Sequence, residues 1–492
     1  MPDDNPGADR PSILRNATVL LQAHLVSRAL SLVALLALPR YVTPSELGFY
    51  FVAVAVTNVL ASLAEFGMRD PLIRELHLRP GDAARTLGVA FGIRATFGLG
   101  VLGACWVVIE VSGYDAPLTT MIWLLAGAEL GNGLARACHM VFRARERLGY
   151  ESALVLMERG IALVIGAGLV MLGMGGMALF CVVALAAGVT NMVVSTLLVS
   201  GRFMRFAPRF GLSAWRPFLS LSAPFAIANI LNFVYLRSDQ ILLGRWSAEG
   251  AEAVAWYGIG YSWIATLSIF PGALMGAAFP RFAALTQAGG DGDTRRALST
   301  LYTQTWKVAL AMGAPAAVFV VICGAKLMRA LYPAGAYPPG TVDASFQALA
   351  LYGGLIFPTT IVSNSLRAAN RWKAVVTLVC VALMVNVGLN AWAMPRYHHV
   401  GAAWARGVSE IVFVALGTAY SIRHLSRLSE YAFVMRLVAA SVGLAGTLRG
   451  LDAWPLWIQL PAGVAVYAGL LALLGAVRMS DLDFGGPGTP EP

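Results

Sequence analysis

The 492-residue sequence predicts an all-α integral membrane protein of about 14 transmembrane helices, arranged as two six-helix lobes plus two C-terminal helices. Three observations carry this prediction. The chain is 58% hydrophobic and 13% charged, with a mean hydropathy of +0.68, whereas soluble domains run near a quarter charged. Its apolar runs recur at about the 20 residues that a helix needs to cross the hydrocarbon layer. Its cations gather at alternate connections, as the positive-inside rule requires. The formal net charge of +10 does not indicate a nucleic-acid binder, because the arginines sit dispersed at span ends instead of clustering on one module.

The first residues, Met1 to Asp9, are acidic and proline-bearing, without the basic region of a signal peptide, and residues 1–15 read as a cytoplasmic tail. The apolar runs then fall at 16–38, 45–66, 84–109, 118–141, 152–173, 177–200, 218–244 and 254–279, followed by 298–322, 346–368, 373–393, 401–422, 431–448 and 455–477. A proline-bounded turn joins the first two, and a loop with Arg69, Arg74, Arg79 and Arg85 follows the second. Only a glycine-rich turn separates 152–173 from 177–200, which makes them antiparallel neighbours. The basic stretch 201–217, with Pro208 inside it, divides an N-lobe (16–200) from a C-lobe (218–424). Helices over 431–477 and a cytoplasmic tail over 478–492 complete the chain. With both termini cytoplasmic, the inner connections carry roughly four times the cations of the outer ones. Leu47-Gly48-Phe49-Tyr50 and Ala255-Trp256-Tyr257-Gly258 each open a span, a weak echo that leaves an internal duplication open.

The five cysteines (Cys105, Cys138, Cys181, Cys323, Cys380) show no CxxC or Cys/His spacing, so neither a disulfide framework nor a metal site is indicated. Walker, nucleophile-elbow and Rossmann patterns are absent. The segment 323–345, the longest outer one, holds a single acid, Asp343. Transport without cofactor or covalent chemistry is the economical reading; a glycosyltransferase or polymerase needs more catalytic acids than this.

What chemistry the sequence offers lies inside the spans. His24, Ser27, Arg28 and Ser31 share one face of the first run, and Asn58, Ser62 and Glu65 one face of the second. Arg94 stands in the third, Glu129, Asn132 and Arg136 in the fourth, Glu158 and Arg159 in the fifth. Span seven holds Asn229, Asn232, Arg237, Asp239 and Gln240, with Arg237 and Asp239 at opposite edges of the polar arc. Lys307 lies in span nine, and Arg406 and Glu410 lie one turn apart in span twelve. Each charge has a structural alternative, pairing as Arg28–Glu65, Arg94–Glu129 or Arg406–Glu410. Six in-span cations (Arg28, Arg94, Arg159, Arg237, Lys307, Arg406) are costly as architecture alone. A water-filled cavity between two bundles lowers that cost and suits an anion, since guanidinium binds phosphate bidentately.

Two stretches carry a family likeness. Ser27-Arg28, Leu38-Pro39-Arg40-Tyr41, Thr43-Pro44-Ser45-Glu46-Leu47-Gly48-Phe49-Tyr50 and Ala64-Glu65-Phe66-Gly67-Met68 resemble the opening of bacterial Wzx-type polysaccharide flippases. These O-antigen and exopolysaccharide translocases belong to the multidrug/oligosaccharidyl-lipid/polysaccharide exporter superfamily. Leu236-Arg237-Ser238-Asp239-Gln240-Ile241-Leu242-Leu243-Gly244 resembles that family's seventh helix. The resemblance implies a MATE-like protein of the bacterial inner membrane that moves an undecaprenyl-diphosphate-linked oligosaccharide to the periplasmic leaflet by alternating access. It implies Arg28, Arg94, Arg237, Lys307 and Arg406 as the surface for diphosphate and acidic sugars. Glu65, Glu129 and Asp239 are implied as gating or ion-coupling partners, with H+ or Na+ as the open choice of ion. A polysaccharide polymerase and glycosyltransferases are the implied protein partners. A peptidoglycan-precursor flippase, a cation-coupled drug exporter and a non-transporting scaffold of a polysaccharide assembly complex are the alternatives.

Overall fold

The computed structural model describes residues 13–288, 292–425 and 431–476, which form helices and the turns between them. Internal contacts divide the chain into two compact units, one ending at Phe233 and one beginning at Val234. The division falls inside a long helix, downstream of the 201–217 segment.

The first unit begins with α1 (Ile13–Ala37) and α2 (Pro44–Glu65). Thr43-Pro44-Ser45-Glu46 is a capping box: the Thr43 Oγ1 accepts from the Glu46 N–H at 3.3 Å, and a Glu46 carboxylate oxygen accepts from the Thr43 N–H at 3.1 Å. Two orphan donors of α2 are thereby satisfied while Pro44 supplies the first helical residue. The helix ends on Phe66 and Gly67, both at positive φ. A side chain on Gly67 would collide with the backbone of Phe225 and Ala226.

The stretch expected as a loop after α2 is instead a helix, α3 (Arg69–Leu78). Met68, Leu72 and Leu76 recur every four residues and are buried together with Leu87, Ile93 and Phe142. This apolar stripe holds the segment helical while Arg74 on its other face stays exposed. Then come α4 (Ala83–Ser112), α5 (Ala116–Ala144), α6 (Leu148–Gly160), a π-helical stretch (Ile161–Gly166), α7 (Ala167–Met171) and α8 (Met177–Arg202). In this unit α5 packs closely on α8. A Cβ on Gly131 would lie 2.7 Å from the Gly188 carbonyl oxygen, and one on Gly188 would lie 2.6 Å from that of Ala128. Small residues that let backbones meet are the usual device for packing helices in lipid.

Helix α9 (Leu212–Trp246) runs through the division. The second unit continues with α10 (Gly250–Thr266), α11 (Ile269–Gln287), α12 (Gly292–Leu331), α13 (Val342–Ala348), α14 (Ala350–Ala368), α15 (Trp372–His424), α16 (Tyr431–Gly450) and α17 (Leu456–Leu473). The run 254–279 breaks between α10 and α11, where Pro271 cannot donate to the carbonyl of Leu267. The run 346–368 is bent by 42° between α13 and α14. α15 is two helices meeting at His398, whose φ of 47° and ψ of −127° are non-helical. α16 and α17 pack on α12 through Phe433, Leu437, Leu444 and Tyr467, and the Tyr467 hydroxyl donates to the Ala311 carbonyl at 2.8 Å.

Among the described residues, 11 helical segments are long and apolar enough to cross a membrane, or 12 with the bent pair α13–α14. α15 counts there as one, and α5 is absent because its row of polar residues lowers its hydropathy. Both considered, the architecture is the roughly 14-helix all-α membrane protein expected from the sequence.

Candidate functional site

A cavity of about 570 Å³ opens inside the first unit. Five arginines and four glutamates line it, and each is placed by helical periodicity. α1 presents His24, Ser27, Arg28 and Ser31; α2 and α3 contribute Glu65 and Arg69. α5 runs a stripe down the wall, Glu129, Asn132, Arg136, His139 and Arg143, at successive steps of three and four residues, with Met140 beside it. α6 adds Glu151, Glu158 and Arg159, and α8 adds Asn191. The π-helical stretch begins directly after Arg159 and Gly160, the kind of local irregularity that often accompanies a site.

Three of the five arginines are paired. Arg143 grips Glu151 with two hydrogen bonds, of 2.7 and 2.6 Å. Arg136 meets Glu129 at 3.2 Å and Arg159 meets Glu158 at 3.2 Å. Arg28 and Arg69 have neither a hydrogen bond nor an ion pair among the described residues, and both are exposed to the open space. The Glu65 carboxylate likewise has no hydrogen bond or ion pair among the described residues but lies within electrostatic reach of Arg136, Arg94 and Arg69. A chain of hydrogen bonds crosses the opposite wall. Asn191 Nδ2 donates to Asn132 Oδ1 at 3.0 Å, and Asn132 Nδ2 donates to Glu158 Oε1 at 3.4 Å. Behind it the Ser195 hydroxyl donates to Asn191 Oδ1 at 3.3 Å and lies 3.2 Å from His139 Nε2.

Arg94 is buried beside this cavity. Its Nη1 donates to the Gly133 carbonyl at 2.7 Å, while Nε and Nη2 find no partner. A space of about 20 Å³ adjoins it, shared with Glu65, Glu129 and Arg136, enough for a single water. Glu129 pairs with Arg136, so the Arg94–Glu129 pairing weighed from the sequence does not form; nor does Arg28–Glu65.

In the second unit Arg406, Asp239 and Glu410 form a closed network, each 1% exposed. Arg406 donates to the Tyr235 carbonyl at 2.8 Å, lies 3.8 Å from Asp239 and 3.7 Å from Glu410, and is stacked between the rings of Tyr235 and Tyr352. Asp239 accepts from Tyr257 at 2.9 Å, Asn386 at 2.9 Å and Asn390 at 2.7 Å, and Tyr235 donates to Glu410 at 2.7 Å. Arg237 donates to Gln240 at 3.2 Å on the same helix, and Lys307 lies 5.8 Å over the Phe433 ring.

Of the residues singled out from the sequence, Arg28, Glu65 and Glu129 therefore meet in one cavity with Arg94 behind them. Asp239 and Arg406 meet in a closed cluster, and Arg237 and Lys307 line neither. Asn191, His139, Arg143 and Glu151 belong to the cavity and were not singled out. The last three continue the Glu129–Asn132–Arg136 stripe or face it across the α5–α6 turn, so extending that spacing by two turns finds them. Asn191, a polar residue in an apolar run, gives no local signal. Among the described residues no cluster of His, Cys, Asp and Glu could hold a metal ion.

Comparison with known proteins accords with this architecture. A family model for polysaccharide biosynthesis proteins matches residues 13–286, and one for lipid II flippase MurJ matches residues 158–453. No curated protein matches the chain. Among solved structures, a lipid II flippase MurJ in an inward closed conformation superposes with a TM-score of 0.75 at 13% identity, over 92% of this chain and 97% of that one. An inward-facing multidrug resistance MATE family transporter of the MOP superfamily gives 0.61 at 12% identity, over 84% and 98%. A MOP superfamily transporter from Pyrococcus furiosus gives 0.51 at 13%, over 84% and 97%. At these identities the superpositions speak to the fold, while the family models each cover more than half of the chain. The chain belongs to the polysaccharide biosynthesis protein family and to the lipid II flippase MurJ family, each matched over more than half of its length: it is a multi-pass membrane flippase, a transporter and not an enzyme.

Proposed function

We propose that this protein flips an undecaprenyl-diphosphate-linked oligosaccharide from the cytoplasmic to the periplasmic leaflet of the bacterial inner membrane by alternating access, supplying surface polysaccharide assembly. The observation that carries the reading is Arg28: a cation mid-way along a span, in no ion pair among the described residues, exposed to a cavity whose α5- and α6-borne arginines are already paired. A charge kept there uncompensated is expensive unless it meets water or a ligand. Its planar fork fits a diphosphate oxygen pair, and Arg69 offers a second. The α5 stripe from Glu129 to Arg143 extends roughly 21 Å at 1.5 Å per residue. It ends at the turn bearing Arg145 and Arg147, which the positive-inside rule puts on the cytoplasmic face. On this reading the headgroup enters at the arginine-rich end while the lipid tail stays in the bilayer. Glu65, Glu129 and Asp239 are the candidates for gating or for coupling to H+ or Na+.

A second reading has its own support. The MurJ family model covers 158–453 and the MurJ structure superposes over most of the chain, which favours a peptidoglycan precursor as cargo. Vesicles containing the purified protein separate the two when given, in turn, a labelled polyprenyl-diphosphate oligosaccharide and a labelled polyprenyl-diphosphate muropeptide. Movement of the first and not the second supports surface-polysaccharide export. The reverse result assigns the protein to peptidoglycan assembly, and movement of neither removes the flippase reading.

A further inference from the structure

Helices α2, α4 and α5 meet around the space of about 20 Å³ beside the main cavity. Glu65, Glu129 and Arg136 border both spaces, whereas Arg94 borders only the small one. We infer that Arg94 is a positioning residue and not part of the surface that meets the cargo: through one water held in this space it fixes the Glu65 carboxylate, and so keeps Arg69 available to a phosphate. The inference rests on the larger cavity being the substrate site.

The argument begins with donors that lack acceptors. Arg94 is 2% exposed, and only its Nη1 is engaged, on the Gly133 carbonyl. Its Nε and Nη2, and the Nε of Arg136, are shut off from solvent with no hydrogen-bond partner. Buried donors of a charged group are costly to leave unmade. An acceptor stands by: the Glu65 carboxylate has no hydrogen bond or ion pair among the described residues and lies within electrostatic reach of both arginines. The space that all three border has the volume of a single water. A water accepts from two N–H groups and donates through two O–H groups, so one molecule takes a bond from each arginine and returns one to Glu65.

Charge decides what the occupant is. Two arginines and two glutamates line the space, so its wall is balanced. An anion of that size would face both carboxylates and a cation both guanidiniums, whereas neutral water meets neither penalty. The same balance links the small space to the cavity. Glu65 is also within electrostatic reach of Arg69, which lines the cavity. Held from behind by Arg94, the carboxylate is kept from closing on Arg69. Without Arg94 the small space has one cation against two carboxylates, and Glu129 already engages that cation at 3.2 Å. Glu65 then turns to Arg69, and an ion pair there competes with the cargo for the guanidinium. Arg94, implied by the family resemblance as a contact of the diphosphate, thus acts one step behind it.

The test uses the full-length protein in vesicles with a labelled polyprenyl-diphosphate oligosaccharide, and measures the mole fraction of cargo that gives half the maximal flipping rate. Arg94→Met is expected to raise this value at least about tenfold, the effect of losing one charge-assisted contact to the cargo. Adding Glu65→Gln to Arg94→Met is expected to bring it back to the value of Glu65→Gln alone, because a neutral amide forms no ion pair with Arg69. Direct contact between Arg94 and the cargo predicts no such recovery. A double variant as impaired as Arg94→Met, or an Arg94→Met protein with the wild-type value, overturns the inference and leaves the flippase reading intact. Thermal melting of the purified proteins follows the same coupling without transport. Arg94→Met is expected to melt below the wild type and the double variant above Arg94→Met, since no unpaired buried charge remains. Recovery of melting without recovery of the half-saturation value makes Arg94 a structural residue only, which also overturns the inference. If Arg94→Met yields no folded protein, folded and active double variant supports the inference and continued misfolding overturns it. Wild-type protein that moves no cargo removes the flippase reading, and the inference with it.

Discussion

Arg28 and Arg406 show how much depends on what surrounds a charge in a span. Both are arginines within apolar runs, and sequence alone ranks them equally. Arg406 is enclosed by Asp239, Glu410 and two tyrosine rings, whereas Arg28 borders open space. Their variants should fail differently. Arg406→Ala strands two buried carboxylates, and removing one partner of a buried ion network typically costs about 3–5 kcal/mol. The expected result is a marked fall in the melting temperature of the purified protein; unchanged stability would show that the cluster is not structural. Arg28→Lys should fold as the wild type does but restore only part of the transport lost in Arg28→Ala, because an ammonium cannot make the forked contact. Initial rates on the two variants check this, and full activity in Arg28→Lys would count against bidentate phosphate recognition. Arg28 was legible in the sequence because His24, Ser27 and Ser31 mark its face as polar. The closure around Arg406 was legible only through Glu410, one turn away. Its other partners come from positions far along the chain, as Tyr235 and Tyr352 do, and no local spacing reveals them.

At the level of elements, apolar run length located the spans, because each must satisfy its backbone internally across about the same thickness of lipid. What it missed has physical causes. The charge density of 69–79 hid the four-residue stripe of Met68, Leu72 and Leu76 that makes α3 a helix. Hydropathy summed over a window does not register the missing donor at Pro271 or the bend before Ala350. Nor does it register the contact between α5 and α8, which brings Asn132 and Asn191 to 3.0 Å. That contact depends on Gly131 and Gly188. Gly188→Leu should force the helices apart at a cost of about 1–3 kcal/mol or more, breaking the amide pair and reducing both the yield of folded protein and its thermal stability. A variant that melts as the wild type does would show that the close approach is dispensable. Thr43→Ala makes a milder test of the capping box, with an expected loss of about 1 kcal/mol in the same melting assay.

Across the whole molecule, composition and the alternation of charge were enough to predict a membrane protein of roughly fourteen helices, and the family models carry that as far as a membrane flippase. The cargo was less legible, since the cavity proposed to take the headgroup is assembled from residues on α1, α2, α3, α5, α6 and α8 at once. Energetics at this scale also yield a sign. An inside-negative potential favours outward movement of a negatively charged headgroup by about 2.3 kcal/mol per charge per 100 mV, so imposing one on oriented vesicles should accelerate the outward step, and collapsing it should slow that step. The central claim, that Arg28 of the first-unit cavity carries a lipid-linked diphosphate across the membrane, is tested most directly by one measurement. Vesicles holding equal amounts of folded wild type or Arg28→Ala are loaded with a labelled polyprenyl-diphosphate glycan, and the label's exposure to an impermeant glycosidase is followed in time. The expected result is rapid exposure with the wild type and a rate about 10- to 100-fold lower with Arg28→Ala, the range for a lost charge-assisted hydrogen-bonded contact. Wild-type vesicles no faster than protein-free ones, or an Arg28→Ala rate equal to the wild type's, would contradict it.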